Sequence, residues 1–186
     1  MADQVKSPTF VATKWAIINV VFNVILAYAF DMLNIDQQSP IRYIPIVLLV
    51  LFVFLAQKEY KDTLGGYITF GKAFNVGFRF ALFAGILGAI FVFLYLKVLN
   101  PESFEKGLQQ TETAMYDKGM SDADVDKSIS MLRSSGPLLF SFSSAVVSAL
   151  VGVVVSLIGA AIFKKERSPY EFNDATIIDD KNDPTL

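Results

Sequence analysis

The stretch PLLFSFSSAVVSALVGVVVSLIGAAIF, residues 137–163, decides the class of this protein. It runs from 137 to 163 without a single charged side chain. A helix that crosses the hydrocarbon core of a bilayer needs about 20 mostly apolar residues. This stretch is therefore long enough to span by itself, and it predicts an integral membrane protein.

The rest of the chain agrees with a membrane location. Of the 186 residues, 53% are hydrophobic, the mean hydropathy is +0.47, and the apolar residues fall in blocks. A helix satisfies its own backbone polar groups in lipid, so helices are the economical way to span. We expect an all-α four-transmembrane-helix bundle with spans at about 11–33, 40–56, 73–96 and 137–163. The first run is too long for the core of a signal peptide, so we expect it to remain as a helix.

Composition also excludes several classes of function. The net charge of −2 lacks the basic excess of a nucleic-acid binder, so we expect no nucleic-acid partner. The chain has neither cysteine nor histidine, which removes the commonest metal ligands and the commonest general base. It also has no glycine-rich phosphate-binding motif. We expect no cofactor, no metal and no enzymatic activity.

The orientation follows from basic residues near the helix ends, which favour the cytoplasm. Eight such residues share the side of the two termini, and "KKER" at 164–167 is the strongest group among them. The other side has six, four of which lie among acidic residues in the loop 101–136. The sequence therefore predicts that both termini are cytoplasmic.

The loop 101–136 is the only sizeable segment outside the predicted spans. Asn100-Pro101 is a turn signal, Gly119 is a plausible helix C-cap, and Ser121 with Asp124 forms a capping motif. Apolar residues recur at roughly helical spacing, so we predict a periplasmic helical hairpin. Its apolar stripe either packs within the protein or docks a partner. Residues 167–186 are polar and acidic, which predicts a disordered cytoplasmic tail.

The order of several motifs resembles a known family. Tyr67, Phe70, Gly71 and Phe74 form an aromatic-x-x-Phe-Gly-x-x-Phe pattern, a glycine-bearing third helix follows, and Asn100-Pro101 precedes the acidic loop. The fourth helix ends in a Lys-Lys pair. Over about residues 12–166, the chain is similar to the small inner-membrane proteins of Bacteroidota known as domain of unknown function four-one-nine-nine. The resemblance implies a multi-pass protein of the bacterial cell inner membrane. It supplies no catalytic residue to transfer.

Two helices carry stripes of small residues at every fourth position. Small residues let helix backbones approach closely in a membrane. We expect the stripes either to pack the third helix against the fourth or to form a contact between copies of the chain. The helix-packing set comprises Gly77, Ala81, Gly85, Ser144, Ser148 and Gly152.

A second set of residues is polar and lies inside the predicted spans. Asn19 and Asn23 are one turn apart, so they share a face of the first helix. Arg79 lies at a similar depth in the third helix, and Ser156 lies at a comparable level in the fourth. We interpret Asn19, Asn23, Arg79 and Ser156 as a candidate intramembrane polar cluster. Three roles remain open for Arg79: snorkelling to the headgroups, a buried network with the asparagines, and a ligand or ion site.

These observations favour a non-catalytic membrane protein that acts by helix–helix assembly, by lipid contact or through a partner at the periplasmic loop. The expected partners are the lipid bilayer, a second copy of the chain or another membrane protein. The alternative is a small oligomeric transporter or channel subunit. Asp31 and Arg42 flank the short turn between the first two helices, where we expect an interfacial ion pair of little energetic value.

Overall fold

The computed structural model describes residues 6–35 and 39–166, and its regular elements within those ranges are helices. The bounds are α1 Pro8–Met32, a 3₁₀ turn Pro40–Tyr43 leading into α2 Ile44–Thr63, α3 Phe70–Leu94 with a π-helical turn Tyr95–Leu99, α4 Pro101–Asp117 and α5 Asp122–Phe163. In this part of the chain, four helices are long and apolar enough to cross a membrane. The predicted all-α four-helix membrane bundle is confirmed. The predicted tail, residues 167–186, lies outside the described residues.

The beginning of α1 and the end of α5 lie at the same end of the bundle, which we call the terminal face. Ile68, in the turn between α2 and α3, exchanges two backbone hydrogen bonds with Lys165, at 2.8 and 2.9 Å. Glu59, near the end of α2, accepts hydrogen bonds from Lys14 and from the Trp15 indole on α1. We call the opposite end, which carries α4, the loop face.

Local sequence signals fix where three of the helices start. Ser7, Thr69 and Ser121 are the N-caps of α1, α3 and α5, and each side chain accepts a hydrogen bond from a backbone N–H of the first turn. Such caps satisfy donors that have no partner inside the helix. Because the cap at Thr69 starts α3 before Ala73, the third span is longer than the sequence predicted.

The fourth span is the second half of one long helix. We expected this span to begin at Pro137, but α5 runs without a break from Asp122 to Phe163, a length of about 63 Å at 1.5 Å per residue. The hydrocarbon core is about 30 Å thick, so the first half of α5 extends beyond it. Pro137 removes one backbone donor without ending the helix.

α4 and the first half of α5 form the predicted helical hairpin. Leu108 on α4 and Val125 and Ile129 on α5 are buried, and the Phe104 ring meets the Phe140 ring edge to face at 6.3 Å. The turn between the arms uses Gly119, whose φ of 77° is easily reached only by glycine. Much of the apolar stripe of the loop is therefore used in packing within the protein.

α3 and α5 form the closest helix contact of the bundle, and small residues make it possible. A Cβ atom built on Gly152 would lie 2.5 Å from Cβ of Ala81, and one built on Gly77 would lie 2.5 Å from Oγ of Ser156. At Gly85 the nearest atom, the Ala145 carbonyl oxygen, would be 3.2 Å away, and at Gly88 no atom would lie within 4 Å. Along α3 the close contact with α5 thus extends from Gly77 to Gly85, whereas Gly88 faces open space.

Gln57 is a fully buried polar residue at the centre of the terminal half. Its Nε2 donates to the backbone carbonyls of Ser156 at 2.9 Å and Ala73 at 3.2 Å, which links α2 to α5 and α3. Its Oε1 has no hydrogen-bond donor among the described residues and lies against Gly159, where a Cβ atom would overlap it. Nothing in the sequence indicated a buried Gln57, because the residue directly follows the predicted span 40–56 and was expected in the loop after it, whereas α2 continues to Thr63.

Candidate ligand-binding chamber

A chamber lies beside the open space at Gly88. Its volume is about 500 Å³, and its lining comes mainly from α1, α2, α3 and α5. Most lining residues are apolar or aromatic, among them Leu49, Phe91, Val147 and Val151. Pockets of 300–1,000 Å³ with mainly apolar walls and a few polar groups are typical of small-molecule sites. The chamber therefore has the size and character of a site for one largely apolar molecule.

Asn19 and Asn23 form the polar end of the chamber that is nearer the middle of the bundle. Asn23 Nδ2 donates to the backbone carbonyl of Asn19 at 2.8 Å and to its Oδ1 at 3.2 Å. Asn19 is only 5% exposed and lines the chamber. Among the described residues, Asn19 Nδ2 has no hydrogen-bond acceptor. The two amides give this end of the chamber hydrogen-bonding groups beside its apolar walls.

The other end of the chamber meets a second, polar cavity at the loop face, which we call the vestibule. Its volume is about 390 Å³, and its lining includes Asp31, Arg42, Glu102, Ser103 and Lys106. Phe30, Asp31, Arg42 and Ser103 line both cavities. From Asn19 to Asp31, α1 rises about 18 Å at 1.5 Å per residue. A mainly apolar chamber thus adjoins a charged cavity at the loop face.

Asp31 connects the end of α1 to the start of α4. Its carboxylate accepts from Asn100 Nδ2 at 2.5 Å and from Ser103 Oγ at 3.4 Å. Asn100 in turn caps α4 by accepting from the backbone N–H of Ser103 at 3.1 Å. A carboxylate at a helix N-terminus is favourable because the helix dipole is positive there. Arg42 donates to the backbone carbonyl of Ile35 at 2.7 Å and stacks over the Phe30 ring.

Arg79 does not join the asparagines as the sequence suggested. It is half-buried, and its guanidinium donates to the Thr9 hydroxyl in the first turn of α1. α1 and α3 run in the same direction from the terminal face, so this contact draws the arginine side chain back toward that face. Asn19 and Asn23 are farther from the terminal face because α1 starts at Pro8. A long charged side chain can reach away from its own backbone position in this way, so depth along the helix did not predict its partner.

Ser156 also lies apart from the asparagines. It is fully buried, donates to the carbonyl of Gly152 at 2.6 Å, and offers its own carbonyl to Gln57. The predicted polar cluster is therefore divided among three places in the bundle.

The predicted packing stripe is divided too. Gly77, Ala81, Gly85 and Gly152 lie in the α3–α5 contact. Ser144 and Ser148 instead line the chamber, together with Asn19 and Asn23. The same periodic pattern thus serves packing at some positions and a cavity wall at others.

Gly88, Glu102 and Lys106 are site residues that sequence analysis missed. Gly88 lies three residues after Gly85, outside the four-residue spacing of the predicted stripe, and lines the chamber. Glu102 and Lys106 are one turn apart on α4, a spacing that would have placed them on one face once the helix start at Pro101 was recognised.

Candidate metal ligands are scarce in the part of the chain that the structure covers. No group of three or more His, Cys, Asp or Glu side chains is placed to hold a metal ion there.

Four apolar helices around an internal chamber define a multi-pass, helical membrane protein. A family model described as protein of unknown function (DUF4199) matches residues 13–165. The chain belongs to this family, which confirms the resemblance seen in the sequence. Comparison with curated proteins gave no match, and comparison with solved structures gave none either.

Proposed function

We propose that this protein is a non-catalytic integral membrane protein that binds one amphipathic lipid molecule in the chamber. The observation that carries the proposal is that a mainly apolar chamber adjoins a charged vestibule at the loop face, with four lining residues in common. A molecule with an apolar chain and a polar headgroup matches both cavities at once. Lipid is also the only such molecule present at high concentration around every membrane helix.

Helix packing supports a preformed site. Glycines hold the backbones of α3 and α5 close together, and the chamber begins where Gly88 faces open space. Its walls come from elements that other contacts hold in place, such as the Asp31 bonds to Asn100 and Ser103. Ligand sites on rigid elements lose little free energy to ordering when the ligand binds.

The experiment that tests this proposal fills the chamber. In the Gly88→Leu variant, the new side chain enters free space, since a Cβ atom at this position meets no atom within 4 Å. Gly71→Leu is the matched control, because Gly71 is also helical with open space around its Cβ atom and does not line the chamber. Both proteins would be purified in mild detergent, and their retained lipid would be measured by native mass spectrometry.

We expect the unchanged protein and Gly71→Leu to retain one lipid per chain, and Gly88→Leu to lose most of it. Equal retention by Gly88→Leu, or no retained lipid in the unchanged protein, would overturn the proposal. Asn19→Leu tests the polar end separately: we expect weaker retention if the amide contacts an oxygen of the lipid.

Transport is the second candidate function. The observation that favours it is the set of polar side chains at membrane depth, Asn19, Asn23 and Ser148, in a chamber that leads to the loop face. Proteoliposome flux measurements on the Asn19→Leu/Asn23→Leu variant would test it. Detectable flux that is unchanged in this variant would rule out a pathway through the chamber.

We place the protein in the bacterial inner membrane with both termini in the cytoplasm. The basic residues near the terminal face, including Lys14, Lys61 and Lys164, support this orientation. A reporter fused within the hairpin turn at residues 118–121 should be active only outside the cytoplasm. A cytoplasmic signal from that fusion would reverse the orientation.

A further inference from the structure

The chamber is closed at the end that faces the terminal half of the bundle. On each spanning helix, the residue three or four positions closer to the terminal face than the last lining residue belongs to the buried core. The last lining residues are Asn19, Leu49, Ala84 and Val151, and the core residues beyond them are Ala16, Phe52, Phe80 and Val155. Ala16 and Phe80 are 0% exposed, and Phe52 and Val155 are 5% and 8% exposed. Because protein cores are close-packed, a ligand in the chamber cannot extend past these residues.

The opposite end of the apolar lining is set by charge. Asp31 lines both the chamber and the vestibule, and a hydrocarbon chain that covers charged groups removes their water without replacing its hydrogen bonds. From Asn19 to Asp31, α1 rises about 18 Å, and α3 rises about the same length from Ala84 to Leu96, its last lining residue at this end. Two helices therefore give the same depth for the apolar part of the chamber.

This depth corresponds to a hydrocarbon chain of defined length. A C–C bond of about 1.52 Å at a bond angle of about 111° advances an extended chain by about 1.25 Å per carbon. A depth of about 18 Å therefore holds about 14 carbons. At the closed end, Leu49, Ala84 and Val151 provide apolar walls for the end of such a chain, and on the remaining side Asn23 donates a hydrogen bond to Asn19.

We infer that the chamber selects lipids by the length of one hydrocarbon chain, with about 14 carbons as the preferred length. This inference rests on the proposed lipid-binding function and concerns the chain rather than the headgroup. Surplus carbons of a longer chain would lie among the charged side chains of the vestibule, and a shorter chain would leave part of the chamber unfilled. Both situations weaken binding, because apolar surface then meets polar groups or loses its packing contacts.

The test compares chain lengths within one series of probes. The full-length protein in mild detergent is offered equal mole fractions of single-chain lysophosphatidylethanolamines, whose saturated chains run from about 10 to about 18 carbons and so bracket the preferred length. Bound probe is measured by native mass spectrometry. Every probe partitions into the same micelles, so the measurement compares the chamber with a micelle interior. We expect the occupancy to be highest at about 14 carbons and about 10-fold lower at either end of the series.

Two variants move the closed end of the chamber in opposite directions. Leu49→Ala deepens the chamber by about two carbons, because the leucine side chain extends about 2.5 Å beyond its Cβ atom, and Val151→Phe shortens it by a similar length. We expect the preferred chain to have about 16 carbons in Leu49→Ala and about 12 carbons in Val151→Phe. Leu51→Ala and Val154→Phe are the matched controls, because Leu51 and Val154 lie on the same two helices but are exposed and are not among the lining residues. Both controls should keep the preference of the unchanged protein.

Equal occupancy by all probes in the unchanged protein, or a steady rise to the longest probe, would overturn the inference while leaving lipid binding standing. The same preference in both chamber variants as in the unchanged protein, or an equal shift in the controls, would overturn it as well. Where only one chamber variant folds, a shift in its expected direction supports the inference and an absent shift contradicts it. If the unchanged protein retains neither lipid nor any probe, the proposed function fails, and the inference fails with it.

Discussion

The α3–α5 contact gives the sharpest prediction, because two small residues face each other at a known separation. In Gly152→Ala the added Cβ atom would lie 2.5 Å from Ala81 Cβ and 3.3 Å from Ala81 Cα. Carbon atoms at optimal separation are about 3.5–4.0 Å apart, so the helices must move apart by about 1 Å. Overpacking of this kind costs about 1–3 kcal/mol, from which the better helix propensity of alanine subtracts up to about 1 kcal/mol.

The reciprocal variant, Ala81→Gly, removes the methyl group from the other side. We expect it to cost about 1–2 kcal/mol through lost packing and the lower helix propensity of glycine. The exchange variant, Gly152→Ala with Ala81→Gly, restores one methyl group at the contact and leaves the overall composition unchanged. Its free energy of unfolding should lie within about 1 kcal/mol of the original protein, so the two positions should couple by about 1–3 kcal/mol.

The assay is reversible unfolding in mixed micelles, followed by helical circular dichroism as the denaturing detergent is increased. Gly71→Ala is the control: its Cβ atom would meet nothing within 4 Å, so this variant should be as stable as the original protein or more stable. The reasoning is refuted if Gly152→Ala is as stable as Gly71→Ala, or if the exchange variant loses the sum of the two single losses.

Three further predictions concern polar residues of the terminal half. Gln57→Leu should change the free energy of unfolding by no more than about 1 kcal/mol, because the variant loses two hydrogen bonds but also removes the unpaired Oε1. Gln57→Ala should lower the free energy of unfolding by about 2–4 kcal/mol, because it leaves a cavity. Equal losses of the two variants in chemical denaturation would contradict this prediction. Glu59→Gln should lower the free energy of unfolding by up to about 1 kcal/mol at low salt and by less at high salt, since the ion pairs of Glu59 with Lys6 and Lys14 are partly exposed. A loss of stability that does not depend on salt would count against an electrostatic role for Glu59. Arg79→Leu should leave lipid retention in the chamber unchanged, because Arg79 contacts Thr9 and not the asparagines; loss of retention would place Arg79 in the site.

Much of the architecture was predictable because its causes are local. Apolar runs of bilayer length set the four spans, and caps such as Thr69 and Ser121 set helix starts with the residues beside them. Gly119 fixed the hairpin turn because its positive φ is a property of one residue and its neighbours. The start of the fourth span was an exception. Pro137 predicted a helix start, but α5 is continuous through it, and the preceding Gly136 packs against α4.

The candidate site was less predictable because it depends on which helix faces meet. Sequence spacing correctly paired Asn19 with Asn23, since both belong to one helix, but it could not give the rotation or crossing of α1 against α3. From the sequence, Arg79 was therefore expected at the same depth as the two asparagines. In the structure its long side chain instead contacts Thr9. Gln57 was missed for a similar reason: its burial comes from α3 and α5, which are distant in sequence.

The sequence alone predicted four helices long and apolar enough to cross a membrane, the capped starts of several helices, and the small residues that let α3 approach α5. Only the tertiary structure decided where that approach stops. The stripe is continuous in sequence, but close contact along α3 extends only from Gly77 to Gly85. Ser144 and Ser148, which the sequence assigned to packing, instead line a chamber together with Gly88, because a cavity depends on how helices distant in sequence face one another.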